Sequence, residues 1–324
     1  MIDSNPVALI PVYNDWASAA LLLTHLDKEF SAAAQRLSVI FINDGSADSA
    51  PVDFADGPYQ AISQASILHL RINLGHQRAI AVGLCHLVDC SLNSPILIMD
   101  GDGEDTPSDA SRLMQTFVGL NGSAAVFAQR TRRSENWRFR LGYFAYRKLH
   151  VFLTGIPVQM GNFSVIAPSH AARLVLTPSL WNHYAASVLH HKVKVHLMPT
   201  HRGVRYFGVS SMNTVSLVTH GLSAISVFAE RVVVRILILV FLASLLLVLI
   251  LVGTIAIRLF TTLPIPGWTS TVSGMLLLLL TQLATAAGVL VFFILSSRAV
   301  APVIPLRDYK LFFSHIENRG RFNS

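Results

Sequence analysis

Two aspartates lie two positions apart on a short glycine-rich segment that directly follows an apolar run. Asp100 and Asp102 belong to the segment Met99–Asp105, which also contains Glu104. Carboxylates at this spacing can converge on one hard divalent cation, and such a cation usually completes its coordination shell with substrate phosphates. The spacing therefore predicts a Mg²⁺ or Mn²⁺ site formed by Asp100, Asp102 and Glu104. The alternative is an acidic turn that only contacts solvent.

A second group of residues, suited to binding phosphate, is a cluster of five arginines within residues 130–140. The planar guanidinium group suits bidentate phosphate binding, so we expect Arg130, Arg138 and Arg140 to contact donor or acceptor phosphates. Arg132 and Arg133 are expected at the surface. The alternative for the whole cluster is a basic face on anionic lipid headgroups, which stabilise each such residue by about 1 kcal/mol.

Short β-branched or apolar runs alternate with amphipathic helical stretches over the first 130 residues, a pattern that indicates a mostly parallel sheet covered on both faces. The predicted strands are Val7–Val12, Ser38–Asn43, Ser66–Leu70, Pro95–Met99 and Ala124–Gln129. The predicted helices are Asp15–Phe30, His76–Cys90 and Pro107–Val118. Such sheets bind ligands beyond the carboxyl ends of their strands. Polar segments follow four of the predicted strands: Tyr13–Asp15, Asp44–Ser46, Arg71–Asn73 and Asp100–Asp102.

Charge is distributed unevenly along the chain. Residues 1–129 hold 5 basic and 14 acidic residues, whereas residues 130–235 hold 14 basic and 2 acidic ones. Only 13% of all residues are charged, about half the share in soluble domains, and 52% are hydrophobic, which excludes a disordered chain. Cys85 and Cys90 are the only cysteines, which excludes a disulfide scaffold, and we expect both thiols to stay reduced.

Two long apolar runs explain the low charge. Ile236–Ile257 has 22 residues and Met275–Leu295 has 21, and neither contains an ionisable residue. As helices they would each extend about 32 Å, enough to cross a hydrocarbon core of about 30 Å. The runs therefore predict a transmembrane hairpin, the alternative being two buried core helices. A protein tethered to a bilayer is not expected to bind nucleic acid.

Basic residues flank this predicted hairpin on both sides. They are Arg231 and Arg235 before the first run, and Arg298, Arg307 and Lys310 after the second. The positive-inside rule then places both termini and the N-terminal domain in the cytoplasm. We expect no signal peptide, since the N-terminal residues lead directly into the first predicted strand.

The segment before the first apolar run predicts an amphipathic helix, Asn213–Phe228. Its apolar stripe consists of Val215, Val218, Leu222 and Ile225. Such a stripe indicates a helix lying on the bilayer or a helix packed against the domain, and both can hold at once.

Taken in order, the motifs resemble the GT-A glycosyltransferases of the dolichol-phosphate mannose synthase and polyprenyl-phosphate glycosyltransferase type. The segments that carry the resemblance are Ile10–Asn14 (I-P-x-Y-N), Asn43–Asp48 (D-D-G-S-x-D), Arg71–Ala79 (R-N-x-G-x-x-x-A), Met99–Asp105 (D-x-D), Arg130, Gly161–Ser164 and Arg205–Asn213 (R-x-x-G-x-S-K). The resemblance implies an α/β GT-A (Rossmann-like) catalytic domain over residues 1–205, juxtamembrane helices over 206–235, a two-helix hairpin over 236–295 and a cytoplasmic tail over 296–324.

The resemblance also implies roles for individual residues. The residues implied in nucleotide binding are Pro11, Tyr13, Asn14, Asp44, Asn73 and Asp100. Those implied in catalysis are Asp102, Arg130, Arg138 and Arg140. Those implied in acceptor or phosphate binding are Ser164, Arg202, Arg205 and Ser210. Three positions depart from the family pattern. Asn43 replaces the first Asp of D-D-G-S, Asp15 replaces a Glu, and Ser211 replaces a Lys whose role nearby Arg202 or Arg205 would take over.

The activity that the resemblance implies is metal-dependent, inverting transfer of a sugar from a UDP- or GDP-linked donor to undecaprenyl or dolichyl phosphate. The expected location is the cytoplasmic face of the inner (plasma) membrane, with a homo-oligomer as a possible assembly. Two alternatives stay open: a transferase with a lipid-linked saccharide acceptor, for which Asp105 or Glu104 would serve as base, and a non-catalytic nucleotide-sugar-binding scaffold.

Overall fold

The computed structural model describes residues 5–130, 137–157, 160–208, 214–262 and 265–321. These residues form two compact units. The first unit comprises residues 1–144, 158–227 and 303–324, and the second comprises residues 145–157 and 228–302.

The strands and helices of the first unit alternate as predicted over its N-terminal part. Its strands are β1 (Val7–Val12), β2 (Leu37–Asn43), β3 (Ile62–Leu70), β4 (Ile96–Ile98), β5 (Ala125–Arg130), β6 (Ser164–Ile166), β7 (Val195–Thr200) and β8 (Phe313–Arg321). Its helices are α1 (Trp16–Ala32), α2 (His76–Asp89), α3 (Pro107–Gly119), α5 (Pro168–Leu174), α6 (Pro178–Asn182), α7 (Tyr184–His190), α8 (Thr214–Ser226) and α11 (Pro305–Asp308); helix α4 (Trp137–Thr154) begins in this unit and ends in the second.

The eight strands form one sheet in the order β7-β5-β6-β4-β1-β2-β3-β8. Strands β4, β1, β2 and β3 are mutually parallel, and β5 is parallel to β7. Only β6 and β8 run antiparallel to their neighbours. The mostly parallel sheet that the sequence predicts is therefore confirmed, and the carboxyl ends of β1 to β5 lie along one edge.

Both faces of the sheet are covered, as the near-continuous apolar strands predict. Along β1, Ala8 and Ile10 pack into a core with side chains of α1 and α3, while Val7 and Leu9 pack into a second core with α2. Strand residues therefore alternate between two helical layers. This arrangement anchors the loops at the carboxyl edge on a rigid scaffold.

The last strand, β8, is a feature that the sequence analysis missed. Residues 296–324 were expected to form a cytoplasmic tail, but Phe313–Arg321 pairs antiparallel with β3 along the edge of the sheet. Tyr309, just before it, is 2% exposed and its hydroxyl donates to Asp89 at 2.7 Å. This C-terminal part therefore belongs to the first unit.

Helix α8 presents two different faces. Ala224 is buried and the helix packs against α6 and α7, where His220 Nε2 lies 3.2 Å from His183 Nε2. Val218 and Leu222, two members of the predicted apolar stripe, are exposed. The side chain of Val215 lies outside the described residues.

The second unit contains two helices of 32 residues, α9 (Ala229–Phe260) and α10 (Trp268–Ala299). They pack against each other and include both predicted spans, with mean hydropathies of 3.3 and 2.3 in their most apolar windows. Each is long and apolar enough to cross a membrane. Near the ends of the two helices, Arg298 donates to Glu230 at 2.8 Å.

Candidate active site

The acidic loop after β4 holds Asp100 and Asp102 in different environments. The Oδ1 atom of Asp100 is buried and has no hydrogen-bond partner among the described residues. Asp102 Oδ1 accepts the Glu104 backbone N–H at 3.0 Å, and burial raises the pKa of its carboxyl group. Burial disfavours the charged form of Asp100, but His76 and Arg130 outweigh this and lower the pKa of its carboxyl group, so Asp100 is a carboxylate that could bind a cation.

A chain of hydrogen bonds sets the ring of His76 beside Asp100. The Tyr184 N–H donates to Gln77 Oε1 at 2.8 Å, so Gln77 Nε2 donates to Asn162 Oδ1 at 3.1 Å. Asn162 Nδ2 is then left to donate to His76 Nε2 at 3.0 Å. That nitrogen also lies 3.2 Å from Asp100 Oδ1, and the negative charge of Asp100 outweighs the effect of burial and raises the pKa of the His76 imidazole. None of these four residues was among the predicted site residues.

Asp105 ties the acidic loop to β5. It is 3% exposed, its Oδ2 accepts the Asp100 backbone N–H at 3.0 Å, and its Oδ1 accepts from Arg130 Nη2 at 3.1 Å. Burial and the nearby charge of Asp100 raise the pKa of the Asp105 carboxyl group, and Arg130 opposes this shift. Asp105 therefore holds the loop and Arg130 in place. Arg130 is where the sequence predicted a phosphate-binding arginine.

A strap formed by residues 202–206 lies on the acidic loop. Its backbone is attached at two points: the Gly203 N–H donates to the Glu104 carbonyl and the Tyr206 N–H donates to the Asp102 carbonyl, both at 2.9 Å. Arg202 forms a bidentate pair with the Glu104 carboxylate at 2.6 and 2.9 Å. This pairing occupies both oxygens of Glu104, so the geometry favours Asp100 and Asp102 over Glu104 as metal ligands.

Arg205, also on the strap, reaches the centre of the site. Its Nη2 lies 3.6 Å from Asp102 Oδ2 and 3.8 Å from Asp15 Oδ2. Both predicted phosphate-binding arginines of the strap therefore lie at the acidic loop. Their guanidinium groups currently neutralise the carboxylates there.

Gly103 is required where the strap meets the loop. Its φ of +89° lies in the region that L-residues avoid, and an added Cβ would lie 2.8 Å from the ring of Tyr206. The Tyr206 hydroxyl also contacts His25 Nδ1 at 2.9 Å. The aromatic ring thus packs on a surface that only glycine provides.

The loops after β1, β2 and β3 form the side predicted to bind the nucleotide. Asp44 is 3% exposed, and its two carboxylate oxygens accept the Leu74 and Gly75 N–H groups at 2.7 and 2.9 Å. Burial raises the pKa of its carboxyl group. Asp44 therefore holds the Asn73–Gly75 turn, whereas Tyr13 and Asn73 remain exposed and available to a ligand.

Asn14 connects two of these loops. Its backbone N–H donates to Ser46 Oγ at 3.0 Å, and its Oδ1 accepts the Ala47 N–H at 2.8 Å. Its φ of +53° is left-handed, a conformation that asparagine tolerates better than most residues. Pro11, three residues earlier, is half-buried within β1. Asn14 thus shapes the loop, and its side chain is also exposed to solvent.

Ser164 does not fit its predicted role in acceptor binding. It is fully buried, its hydroxyl donates to the Asn162 carbonyl at 2.8 Å, and the same hydroxyl lies 2.8 Å from the Tyr184 hydroxyl. A side chain in this position can act only through Asn162. Ser210 and the side chains of Arg138 and Arg140 lie outside the described residues, so their predicted roles stay predictions.

The donor set at the acidic loop fits a divalent cation. Asp100 has a buried carboxylate oxygen, and Asp102 lies two positions further along the same loop. Among the described residues no three Asp, Glu, His or Cys side chains form a ready-made metal site. A hard cation held by two carboxylates would therefore need substrate oxygens to complete its shell, as Mg²⁺ commonly does.

The mostly parallel α/β sheet, with paired aspartates and arginines at its carboxyl edge, agrees with the GT-A fold that the motifs imply. The family model "Glycosyl transferase family 2" matches residues 7–175, more than half of the chain. The chain therefore belongs to glycosyl transferase family 2, in agreement with the resemblance seen in its motifs.

Two curated relatives match parts of the chain. The undecaprenyl-phosphate 4-deoxy-4-formamido-L-arabinose transferase of Aeromonas hydrophila is 27% identical over 129 residues, 40% of this chain and 38% of that protein. The uncharacterized glycosyltransferase YkcC of Bacillus subtilis is 25% identical over 161 residues, 49% of this chain and 48% of that protein. The chain thus spans less than half the length of these relatives.

Solved structures with a similar arrangement share little sequence with the chain. Glucosyl-3-phosphoglycerate synthase of Mycobacterium tuberculosis, in complex with Mn²⁺, UDP and phosphoglyceric acid, is 13% identical with a TM-score of 0.49; the match covers 70% of this chain and 78% of that chain. S. aureus TarS 1-349 in complex with UDP is 14% identical with a TM-score of 0.43, and the match covers 72% and 65% of the two chains.

Proposed function

We propose that this protein transfers a glycosyl group from a nucleoside diphosphate sugar to a polyprenyl phosphate at a membrane surface. The observation that carries the proposal is the pair of aspartates, Asp100 and Asp102, on one loop with Arg130 and Arg205 beside it, at the carboxyl edge of a family 2 sheet. The proposed acceptor rests on two further observations. These are the two membrane-length helices and the partial similarity to a transferase named for undecaprenyl phosphate.

In this proposal the donor lies across the carboxyl edge of the sheet. The exposed Tyr13 and Asn73 contact the base and ribose, on loops held by Asp44. Asp100 and Asp102 would hold a Mg²⁺ or Mn²⁺ ion, and such an ion would supply positive charge to the departing diphosphate. Arg130 and Arg205 lie beside these carboxylates and would bind donor or acceptor phosphate oxygens.

The chemical step needs no strong base from the protein. A phosphate monoester has a second pKa near 6 and is largely dianionic at neutral pH, so its oxygen is already a nucleophile. That oxygen forms a bond to the anomeric carbon of the sugar, and the bond from this carbon to the diphosphate oxygen breaks. The nucleoside diphosphate leaves, and a direct displacement inverts the anomeric configuration. Asp105 accepts hydrogen bonds from Arg130 and from the Asp100 backbone N–H, so we assign it a structural role.

The membrane arrangement that we propose keeps both termini and the first unit in the cytoplasm. The basic residues that flank the apolar helices support this orientation, and the exposed Val218 and Leu222 of α8 offer an apolar face to the bilayer. Thr262→Cys places a thiol between α9 and α10. In spheroplasts, a membrane-impermeant maleimide should label it from outside but not the native Cys90; the reverse pattern would contradict this orientation.

Transfer assays with the full-length protein test the activity. Labelled UDP- and GDP-sugars are supplied with undecaprenyl or dolichyl phosphate, with Mn²⁺ or Mg²⁺ and, in parallel, with EDTA. We expect metal-dependent label in a chloroform-soluble, acid-labile product, its loss in Asp102→Asn, and its retention in Asp53→Asn, which alters an exposed aspartate outside the site. Nucleotide-sugar binding without transfer to any acceptor would favour the scaffold alternative.

A further inference from the structure

The C-terminal strand β8 reaches the loop after β2 through a chain of polar side chains. His69 lies near the end of β3, and its Nε2 is 3.2 Å from Glu317 Oε2 on β8. On the other side of the ring, Asn43 Nδ2 is 3.1 Å from His69 Nδ1. Asn43 is the last residue of β2 and immediately precedes Asp44, so three strands are joined where the loop begins.

The direction of each hydrogen bond in this chain follows from the first. The Ser46 backbone N–H donates to Asn43 Oδ1 at 2.9 Å, which fixes the orientation of the Asn43 amide. Asn43 Nδ2 must then donate to His69 Nδ1, so this nitrogen is an acceptor and the ring proton is on Nε2. His69 Nε2–H therefore donates to the Glu317 carboxylate. Only the neutral ring with its proton on Nε2 satisfies both partners.

The surroundings of His69 favour this neutral form. Burial lowers the pKa of the imidazole, and this outweighs the opposing effect of Glu317. The groups facing the ring are His315, stacked at 4.4 Å between centroids, Glu317 and Asn43; Arg319 Nε lies 3.1 Å from Glu317 Oε1. The positive charge of Arg319 also disfavours a charged ring.

The loop that this chain holds lies among the residues expected to bind the nucleotide. Gly45 has no room for a side chain, since a Cβ would lie 2.5 Å from the Asn73 nitrogen. Ser46 accepts the Asn14 N–H, and Asp44 holds the turn that presents Asn73. A shift at Asn43 would therefore reach Asn14 and Asn73 through direct contacts.

We propose that Glu317 and His69 are positioning residues that set the affinity of the β2 loop for the nucleotide part of the donor. This role rests on the proposed function. It gives the C-terminal strand a part in donor binding, and it accounts for Asn43 at the position of the first Asp in the D-D-G-S pattern. An aspartate there has no N–H to donate, so it would force His69 to carry a proton on Nδ1.

Nucleotide binding by the full-length protein provides the test. Dissociation constants for UDP and GDP are measured by calorimetry with Mn²⁺ present, together with donor KM and kcat. Losing a hydrogen bond to a charged group should weaken binding of the preferred nucleotide about tenfold in Glu317→Ala, with kcat at saturating donor unchanged within about twofold. Glu317→Gln keeps an acceptor oxygen for His69 and should recover most of the affinity.

The matched control is Asn318→Ala on the same strand. Asn318 Oδ1 accepts from Ser66 Oγ at 2.9 Å and Gln64 Nε2 at 3.0 Å, away from the β2 loop. This variant should lose stability without losing nucleotide affinity. Equal weakening in both alanine variants would overturn the proposal, because strand docking alone would then explain the effect. Unchanged affinity in Glu317→Ala would overturn it as well.

A spectroscopic readout separates the failure of this proposal from that of the proposed function. In wild-type protein, the imidazole ¹⁵N spectrum should show His69 protonated on Nε2 at neutral pH, and Asn43→Asp should shift the proton to Nδ1 or protonate both nitrogens. A wild-type ring protonated on Nδ1 would overturn the hydrogen-bond chain. Failure of the wild-type protein to bind any nucleotide would overturn the proposed function and the role of the loop, whatever the state of His69.

Discussion

The guanidinium group of Arg205 lies 3.6 Å from the Asp102 carboxylate, so an internal cation stands beside the carboxylate that we assign to the metal. Arg202 pairs with Glu104 in the same way, and both arginines belong to the strap over residues 202–206. A divalent cation at Asp102 would meet the positive charge of Arg205. Arg205 and the metal would therefore compete for the Asp102 carboxylate until a donor diphosphate arrives and can bind both.

Arg205→Ala should strengthen metal binding and weaken catalysis. Removing a positive charge within 4 Å of Asp102 should lower the Kd of Mn²⁺ alone about fivefold, a modest effect because the pair is partly exposed. Calorimetric titration of Mn²⁺ without nucleotide measures this change, with Arg112→Ala, which removes the partner of Asp109, as control. A weaker Mn²⁺ affinity in Arg205→Ala would contradict the competition.

Asp102 and Glu104 should differ in their contributions to metal binding. Asp102→Asn removes a metal ligand and should reduce turnover at least a hundredfold at any Mn²⁺ concentration. Glu104→Gln breaks the bidentate pair with Arg202 and loosens the strap, so we expect a loss below about tenfold. Steady-state kinetics over a range of Mn²⁺ concentrations compare the two. A large increase in the Mn²⁺ concentration that gives half-maximal activity of Glu104→Gln would show that Glu104 is a metal ligand.

Gly103→Ala should disturb the contact between the acidic loop and the strap. The added Cβ meets the ring of Tyr206, and the positive φ adds strain, so activity should fall at least tenfold. Gly122→Ala is a matched control: its φ of +66° is also positive, but its Cβ would contact only Phe117. It should lower the melting temperature with little effect on kcat/KM. Full activity in Gly103→Ala would mean that the strap does not require this contact.

Ser164→Ala should reduce stability without a specific effect on the acceptor. It removes a fully buried hydroxyl and leaves the Tyr184 hydroxyl without this partner, which costs about 1–2 kcal/mol. Thermal unfolding of the purified protein measures the loss. KM for polyprenyl phosphate should stay within about twofold of wild type. A selective rise in that KM would restore the acceptor-binding role that the sequence predicted.

Local patterns in the sequence predicted β1 to β5 and the acidic loop, but not β6, β7 or β8, and β3 begins four residues before its predicted start. Val7–Val12 forms β1 at its predicted bounds, because its apolar residues pack on both faces of the sheet. Strand β8 was missed because Phe313–Arg321 is mostly polar and lacks the apolar pattern of the other strands. Its pairing partner β3 is more than 240 residues away, a relationship that no local pattern contains.

The candidate site was predicted by residue type more reliably than by role. The Asp44 carboxylate accepts hydrogen bonds from the Leu74 and Gly75 backbone. The Ser164 hydroxyl is paired with the Asn162 carbonyl and the Tyr184 hydroxyl. Only the folded structure decides these pairings. The pairing of Arg202 with Glu104 joins residues that are 98 positions apart. Such pairings depend on tertiary structure, so a list of chemically suitable residues could not show which of them already have partners.

In the proposed reaction the lipid phosphate itself is the nucleophile. Mass spectrometry and ³¹P NMR of the product formed from a nucleotide sugar and polyprenyl phosphate test it most directly. We expect a lipid heavier by one glycosyl residue, with a single phosphodiester resonance in place of the monoester. A product that carries the new sugar on another sugar, or no glycosylated lipid with any UDP- or GDP-linked donor, would contradict it.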